Sequence, residues 1–292
     1  MERTQGLALG YQPPLAWPAL ATFLAQRGAA CLEQFDGRCY RRTLARDGQW
    51  GWISVLPAEN ESALQVTVSP GLRGAASWLR SALRRLFDLD ADTPAIAAHL
   101  RRDHRLATHV DRTPGLRIPG TLDGFELALR AVLGQQITVK AATTVFTRFA
   151  RYFGEPVDTP FDGLDRLAPR AEALADAGLQ QIIDRGLPRK RAETIRGLAQ
   201  AVASGALRLD ASAPAAQTRA ALQALPGIGP WTAHYIGMRA LADPDAFPER
   251  DIGLIRALGI ADPRELQAAA EPWRPWRAYA AMYLWHHRAC GG

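Results

Sequence analysis

A glycine-containing turn between two predicted helices carries the strongest chemical signal in the chain. Residues 218–241 read TRAALQALPGIGPWTAHYIGMRAL, in which one helical run ends at Leu225 and a second begins near Trp231. Gly227 and Gly229 permit positive φ angles and the close approach of another backbone. The first amides of the second helix lack intrahelical partners and lie at the positive end of its dipole, so they could bind a nucleic-acid phosphate. An ordinary helical corner with a glycine cap is the alternative.

One aspartate downstream of the turn could act on a reaction centre that becomes positively charged. Asp251 lies 22 positions after Gly229, within the segment ERDIG at residues 249–253, where a helix is predicted to start. Its carboxylate could stabilise the charge and orient or deprotonate a water molecule. The simpler alternative is that Asp251 is only the N-cap of that helix. Glu249 could support Asp251, but a solvated position is predicted for it.

Aromatic residues accompany the turn and the C-terminal segment. Trp231 and Tyr235 are four residues apart and therefore share one face of the second hairpin helix. Trp285 lies in the last predicted helix, followed by His286, which is predicted to be a surface or hydrogen-bonding histidine. Aromatic faces stack on planar ligands and attract cations. Aromatic residues at helical spacing are, however, more often core residues.

The first 94 residues are predicted to form a small antiparallel sheet domain with helices on one face. Strand patterns cover residues 38–44, 50–56 and 64–68, and Asp47-Gly48 is a hairpin signal between the first two. Apolar residues at helical spacing indicate helices within residues 15–30 and 72–86. Three or more strands with two helices favour a small antiparallel sheet that has the helices on one face.

Residues 95–292 are predicted to be entirely helical. We expect a central helical subdomain at 119–243, which contains the hairpin at 218–241, and a second subdomain composed of 95–118 and 244–292. The predicted fold class is therefore α+β, with a sheet domain followed by a two-lobed all-α region.

Two prolines mark helix starts in the helical region. Pro188 opens a segment in which apolar residues recur at helical spacing. Asp262, Pro263 and Glu265 supply a cap, a proline at the first helical position and a capping-box acid, so a helix is predicted to start there.

Composition limits the class of protein. The 292 residues predict about two domains, and 48% are hydrophobic, enough for a buried core. Lys plus Arg number 35 against 29 Asp plus Glu, and this net charge of +6 slightly favours a polyanionic partner. No apolar run approaches the roughly 20 residues of a membrane span and no secretory signal is visible, so a soluble, cytoplasmic monomer is expected. Cys31, Cys39 and Cys290 lack C-x-x-C spacing, which predicts neither disulfides nor a zinc site.

Several segments together identify a family. The string LPGIGPWTA with FPERDIGL downstream is joined by YQPPLAW, LRSALRRLFDLD, GLRIPGTLDGFELALRAVLGQQITVKAA and EPWRPWRAYAAMYLW. This combination resembles the helix-hairpin-helix family of DNA base-excision glycosylases, especially its 3-methyladenine-DNA glycosylase II branch, over most of the chain. The resemblance implies an N-terminal antiparallel sheet domain and two helical subdomains flanking a cleft that receives a flipped, damaged nucleotide.

The resemblance also implies roles for individual residues. Asp251 matches the catalytic aspartate, which would stabilise the positively charged sugar as the base departs. Gln136 matches the residue that fills the gap left by the extruded base, although a capping or solvated glutamine is the alternative. The implied base pocket comprises Trp231, Tyr235, Trp285 and Phe23, and the implied DNA contacts are Gly227, Gly229, Thr232 and Gln136.

Two further features of the family can be compared with the chain. Relatives that also cut the DNA strand have a lysine on the second hairpin helix, where this chain has Trp231, and the iron–sulfur branch needs four C-terminal cysteines. A glycosylase without lyase activity or cluster is therefore expected. The resemblance implies a structural monovalent cation, Na or K, held by the backbone carbonyls of Gln223, Leu225 and Ile228. No catalytic metal is expected.

The function expected from the resemblance is excision of alkylated bases, chiefly 3-methyladenine and 7-methylguanine, from double-stranded DNA. A preference for neutral deaminated or etheno purines is one alternative, and a non-catalytic DNA-binding protein is another. Of the basic clusters, 189–191 is the candidate for flanking phosphates. Clusters at 80–85 and 101–105 are predicted to be solvated surfaces.

Overall fold

An antiparallel sheet of five strands lies in the N-terminal part of the chain. The computed structural model describes residues 4–260 and 262–289. The sheet has the order β1-β5-β4-β3-β2, and every neighbouring pair is antiparallel. Its strands are β1 Gln5–Gly10, β2 Glu33–Phe35, β3 Tyr40–Arg46, β4 Gln49–Pro57 and β5 Ala63–Val68.

The predicted hairpin between β3 and β4 is confirmed. Asp47 and Gly48 have φ angles of 50° and 76°, and Arg46 pairs with Gln49 across the turn. Two positive φ angles are typical of the type I′ turn, whose twist matches that of the flanking strands. The sequence patterns did not predict the edge strands β1 and β2. β2 has only three residues, and β1 contains Gly6 and Gly10, so neither shows a clear alternating pattern.

The two helices of the sheet domain are shorter than the sequence ranges over which their apolar patterns predict them. The first, α1, spans Trp17–Arg27, and the second, α2, spans Ala76–Leu86. The start of the predicted helix at 72–86 is instead a 3₁₀ helix, Pro70–Ala75, which begins at a proline. Leu20 and Leu24 of α1 are buried with Leu79 of α2 in one cluster that also contains the apolar residues of the strands.

The rest of the described chain is helical, as predicted. Pro188 and Asp262 stand at the N-cap positions of the helices that follow them, so both predicted starts are confirmed. One isolated β-bridge, Pro156 to Arg166, interrupts the helices. The helices are α3 Thr93–Leu100, α4 His104–Arg112, α5 Gly124–Leu133, α6 Val139–Phe153, α7 Ala171–Ala175, α8 Leu179–Ile183, α9 Arg189–Ala203, α10 Ala215–Ala224, α11 Pro230–Ala240, α12 Ile252–Ala257, α13 Pro263–Ala270 and α14 Arg277–Ala289.

These helices form two separate hydrophobic clusters. One is built mainly from α5, α6, α9 and α11, and it also includes Ala29, Cys31 and Leu32 from the N-terminal part. The other combines α3 and α4 with α14 and the end of α11. Helix α3 runs across residue 94, the position at which we predict the domain boundary. Among the described residues, none of the helices is long and apolar enough to span a bilayer.

A partly buried aspartate lies where the sheet domain meets the helices. Asp88 follows α2 with a φ of 52°, and its carboxylate accepts hydrogen bonds from the Ile118 amide at 3.1 Å and the Tyr279 hydroxyl at 2.8 Å. Burial raises the pKa of Asp88 to about 6, although both hydrogen bonds favour the charged form. The folded state therefore keeps this proton at pH values where the unfolded chain has already lost it.

We expect stability to fall as the pH rises between about 4 and about 6, partly because of Asp88. Its folded pKa is raised above the value of 3.8 for an unperturbed group, so its stabilising contribution is present below pH 3.8 and is lost as the pH passes about 6. Asp123, the partly buried N-cap of α5, has a pKa raised to about 6 by the same cause and acts in the same direction. Urea unfolding of the wild type and of Asp88→Asn at pH 4.5 and 7 measures how much Asp88 contributes to the pH dependence of stability. The free energy of unfolding of the variant should change less between the two pH values than that of the wild type. An equal change in both proteins would contradict the assignment of this pH dependence to Asp88.

Candidate active site

The predicted helical hairpin is formed by α10 and α11. Gly227 has a φ of +89°, and a Cβ there would overlap Thr194 Oγ1, which lies 2.9 Å from the Pro226 carbonyl oxygen. Gly229 is the N-cap of α11 with a φ of −87°, so it does not use the positive φ that glycine permits. A Cβ at Gly229 would meet nothing within 4 Å. Only Gly227 is required by the fold of the turn itself.

Replacing the two glycines should therefore have different effects. In Gly227→Ala the new methyl group meets Thr194, and the alanine must adopt a left-handed backbone conformation, which costs about 1–2 kcal/mol. We therefore expect a lower Tm and roughly tenfold weaker DNA binding. In Gly229→Ala the Tm should be unchanged, and any loss of DNA affinity would report the close approach of a phosphate. Thermal unfolding and fluorescence anisotropy with a DNA duplex make the comparison. Equal losses of Tm in both variants would contradict it.

Asp251 is both a helix cap and the partner of two tryptophans. Its Oδ1 accepts hydrogen bonds from the Leu254 amide at 2.8 Å, which caps α12, and from Trp285 Nε1 at 3.0 Å. Its Oδ2 accepts one from Trp231 Nε1 at 2.8 Å. A carboxylate has about four acceptor positions, so these three donors hold its orientation and leave room for another contact. Asp251 is thus the N-cap of α12, but capping is not its only interaction.

The predicted aromatic residues meet beside this carboxylate. Trp231 and Tyr235 are stacked with centroids 5.3 Å apart and an interplanar angle of 7°, and Trp285 is 6.2 Å from Tyr235 at 56°. All three line one cavity of about 910 Å³, together with Asp251 and Phe23 from α1. This volume is large enough for a small-molecule ligand. The structure therefore brings together residues that are distant in sequence, from the sheet domain, the hairpin and the last helix.

The sequence analysis missed the arginines that line this cavity, among them Arg27 and Arg239. Arg239 Nη1 donates to the Tyr235 hydroxyl at 2.8 Å, and the Arg27 guanidinium carbon lies 3.6 Å from the Phe23 ring centroid. Burial raises the pKa of Tyr235, but the charges of these arginines and of Arg130 outweigh it, and the pKa is lowered. The sequence did contain a signal for these arginines. Arg27 and Arg239 each follow a predicted pocket aromatic residue by four positions, which places them on the same helix face as that residue.

The loop between α5 and α6 joins the hairpin to the cavity. Gln135 Nε2 donates to the Gly227 carbonyl and to Thr232 Oγ1, both at 3.0 Å, and Arg191 donates to the Gln135 carbonyl at 2.9 Å. Gln136 is exposed at the tip with a φ of 61°, and its role as the residue that fills the duplex stays a prediction. The Thr232 side chain is buried against Gln135, so a phosphate contact from this residue would use its backbone amide.

Other candidate residues have structural contacts outside the cavity. Glu249 accepts a hydrogen bond from Gln267 at 3.3 Å, and the His286 ring lies 5.5 Å from that of His287. Arg84 and Arg105 pair with Asp90 and Asp103, which agrees with surface roles for their clusters. Cys31 and Cys39 are buried free thiols, and Cys290 lies outside the described residues.

The predicted cation site depends on the end of α10. Leu225 has φ −76° and ψ 126°, so the helix stops and the carbonyls of its last turn lack helical amides to accept from. The Leu225 carbonyl accepts the Ile228 amide at 3.1 Å. This backbone is compatible with Na or K bound by the carbonyls of Gln223, Leu225 and Ile228, which stays a prediction. Among the described side chains, no cluster of three or more His, Cys, Asp or Glu could hold a metal.

Comparisons with known proteins agree with this arrangement. A model of the AlkA N-terminal domain matches residues 6–123, and a model of the HhH-GPD superfamily base excision DNA repair protein matches residues 129–274. The chain is 33% identical to DNA-3-methyladenine glycosylase 2 of Escherichia coli, with 95% of this chain and 96% of that protein covered.

Two other comparisons extend the similarity. A probable bifunctional transcriptional activator/DNA repair enzyme AlkA of Mycobacterium tuberculosis is 38% identical over 97% of this chain, which spans 57% of that relative's length. A solved 3-methyladenine DNA-glycosylase from Archaeoglobus fulgidus has the same fold, with a TM-score of 0.84, 21% identity and 99% of each chain covered. The chain therefore belongs to the HhH-GPD superfamily of base excision DNA repair proteins and carries the N-terminal domain of its AlkA members.

Proposed function

We propose that this protein is a DNA glycosylase that hydrolyses the N-glycosidic bond of alkylated bases, chiefly 3-methyladenine and 7-methylguanine, in double-stranded DNA. The observation that carries the proposal is the Asp251 carboxylate, which two indole N–H groups and a helix amide hold beside an aromatic cavity. The name of the Escherichia coli relative supports the substrate class. Binding a phosphate at the hairpin would require neither the carboxylate nor the aromatic residues.

The DNA contacts would deliver a flipped nucleotide to the cavity. The start of α11 offers unpaired backbone amides to a phosphate, since Gly229 caps this helix without a side chain. The base leaves the stack at a cost of a few kcal/mol, which is smaller at damaged positions. Gln136, at the exposed tip of its loop, would then fill the vacated space and face the orphaned partner base.

Chemistry would take place between Asp251 and the stacked aromatic residues. The base would lie against Trp231 and Tyr235, whose electron-rich faces attract planar, electron-poor rings. As the bond between C1′ and the base nitrogen breaks, its electron pair leaves with the base and positive charge develops on the sugar. Asp251 stabilises this charge, and water then forms the new bond to C1′ and releases its proton. An alkylated purine that carries a positive charge departs as a neutral molecule and needs no acid.

We also propose that the protein leaves the DNA strand intact. A lyase reaction would need an amine that attacks C1′ of the sugar. The two lysines of the sequence, Lys140 and Lys190, do not line the described cavity, and Trp231 occupies the start of the second hairpin helix. The product would be an abasic site. We further propose that the protein acts as a monomer in the cytoplasm, on DNA of the nucleoid, and gel filtration measures its oligomeric state.

Base release from methylated DNA tests the proposal. Duplex DNA treated with a methylating agent is incubated with excess protein, and the released bases are separated by chromatography. A denaturing gel of the same DNA, with and without alkali, shows whether the strand is cut. We expect 3-methyladenine and 7-methylguanine to be released and strand breaks only after alkali. Binding of damaged DNA without release of any base would overturn the proposal and favour a non-catalytic DNA-binding protein.

A further inference from the structure

Two arginines lie at the exposed rim of the cavity, beside the carboxylate of Asp251. Arg250 precedes Asp251 directly in sequence, and Arg288 follows Trp285 by three residues on the same face of α14. Both arginines line the cavity and are exposed. Within residues 4–260 and 262–289, neither guanidinium forms a hydrogen bond or an ion pair. Each therefore keeps its N–H donors for a ligand that approaches this rim.

The approach of Arg288 to this carboxylate depends on a glycine in the first turn of α12. A Cβ built on Gly253 would lie 3.3 Å from Arg288 Nη1 and 2.7 Å from Asp251 Oδ1. The guanidinium and the carboxylate lie next to the same glycine, yet they form no ion pair in the described part of the chain. The carboxylate instead accepts from two indole N–H groups and one helix amide. Its negative charge therefore remains available to the sugar.

The positive charges of the two arginines would oppose the reaction if no ligand compensated them. During base release the sugar beside Asp251 becomes positively charged, and guanidinium groups near it raise the energy of that state. A phosphate bound to the arginines cancels their charge, and guanidinium groups match phosphate oxygens through paired hydrogen bonds. DNA supplies a phosphate on each side of an internal nucleotide. The charge balance of the rim therefore favours a DNA phosphate as the ligand of these arginines.

The hairpin and the arginines lie on different sides of the carboxylate. Gly229 caps α11, and Trp231 in the first turn of that helix donates to Asp251 Oδ2. The other oxygen, Oδ1, lies toward Gly253 and Arg288. A nucleotide whose C1′ lies beside this carboxylate would therefore have one phosphate near the hairpin amides and the other near the arginines.

We propose that Arg250 and Arg288 together bind one backbone phosphate of the flipped nucleotide, on the side of Asp251 opposite the hairpin. The inference rests on the proposed glycosylase activity and adds a second anchor for its substrate. Two fixed phosphates hold the sugar between them and place C1′ against the carboxylate. The bound phosphate also neutralises the arginines when the sugar becomes positive. Both arginines are positioning residues, because they act on the reaction through the phosphate.

Methylphosphonate substitution in an abasic duplex tests this contact. A methylphosphonate linkage removes the charge of one phosphate, and it is placed either 5′ or 3′ to an abasic-site analogue. Fluorescence anisotropy measures how the wild type and Arg250→Met/Arg288→Met bind each duplex. On unmodified DNA we expect the variant to bind about tenfold more weakly. Its dependence of log K on log salt should be smaller by about 0.9, the value for one phosphate.

The comparison of the two modified positions identifies the phosphate. At one position the methylphosphonate should weaken binding by the wild type but not by the variant, because the variant has already lost the contact. At the other position it should weaken both proteins by the same factor. Equal effects on both proteins at both positions would overturn the inference, since the arginines would then attract DNA only through their general charge.

Arg264→Met is the matched control for loss of an exposed arginine. Arg264 lies in α13 and does not line the described cavity, so this variant should respond to both methylphosphonates as the wild type does. The single variants Arg250→Met and Arg288→Met replace the double variant if thermal unfolding shows that the latter is misfolded. The assay measures binding of an abasic duplex and needs no base release. Failure of the wild type to release methylated bases would instead refute the proposed glycosylase activity.

Discussion

Asp251→Asn is expected to slow base release by about a thousandfold while DNA affinity changes little. The variant keeps an oxygen that can cap α12 or accept from one indole, but it loses the negative charge beside the developing positive sugar. Loss of one preorganised electrostatic contact commonly costs 10²–10³-fold, and a thousandfold corresponds to about 4 kcal/mol of transition-state stabilisation. Single-turnover release of 3-methyladenine measures the rate, and anisotropy with an abasic duplex measures binding.

Asp262→Asn provides the matched control for loss of a capping carboxylate. Asp262 caps α13 by accepting the Arg264 amide at 2.8 Å, and it does not line the described cavity. Asparagine caps a helix about as well as aspartate, so both variants should show only small decreases in Tm. Only Asp251→Asn should lose activity. A rate for Asp251→Asn within tenfold of the wild type would show that Asp251 is a structural cap and not the catalytic carboxylate.

The largest expected loss of stability comes from a buried ion network that joins the sheet domain to α5. Arg42 of β3 pairs with Glu126 at 2.7 Å, and Arg130 pairs with Glu126 and with Glu33 of β2, both at 2.9 Å. Tyr40 donates a hydrogen bond to Glu33. Burial raises the pKa of Glu126, but the charges of Arg42 and Arg130 outweigh this effect and lower it. The two carboxylates and the two arginines therefore neutralise one another away from water.

Glu126→Gln should lower the free energy of unfolding by about 3–5 kcal/mol, because it leaves two buried arginines with one carboxylate. The double variant Arg42→Met/Glu126→Leu leaves Arg130 and Glu33 as a balanced pair and should lose less. Urea unfolding followed by circular dichroism measures both. Arg38→Met is the surface control, since it breaks an ion pair with Glu59 whose side chains are 65% and 77% exposed. It should have little effect. A double variant that is less stable than Glu126→Gln would contradict the charge-balance explanation.

This network also connects the N-terminal domain to the site. Arg130 lines the cavity and is held by Glu33 and Glu126, and α1 of the same domain supplies Phe23 and Arg27 to the cavity wall. The sheet domain therefore does more than cover the helices. It contributes side chains to the cavity wall and positions Arg130, one of the arginines that line this cavity.

Local sequence signals were sufficient for most individual elements. Asp47-Gly48 specifies its turn through two positive φ angles, and Asp262 starts a helix through capping. Pro188 stands at the N-cap position of α9 without a side-chain cap. Each of these effects depends only on near neighbours in sequence. The helical hairpin and the position of Asp251 at a helix start could also be predicted from near neighbours in sequence. Very short strands such as β2 were not predictable, since three residues are too few for a pattern and their pairing partner lies elsewhere in the chain.

Amino-acid types and local spacing thus determined the helices, the hairpin and the identity of the acidic and aromatic candidates. Only the tertiary structure decided which of them share a cavity and what charge that cavity carries. Asp251 meets Trp285 across 34 residues of sequence, and Arg42 meets Glu126 across 84. Such contacts depend on how the domains pack, and pairing between distant charges leaves no periodic pattern in the chain. For the same reason the positive charge contributed by Arg27 and Arg239 became visible only in the folded molecule.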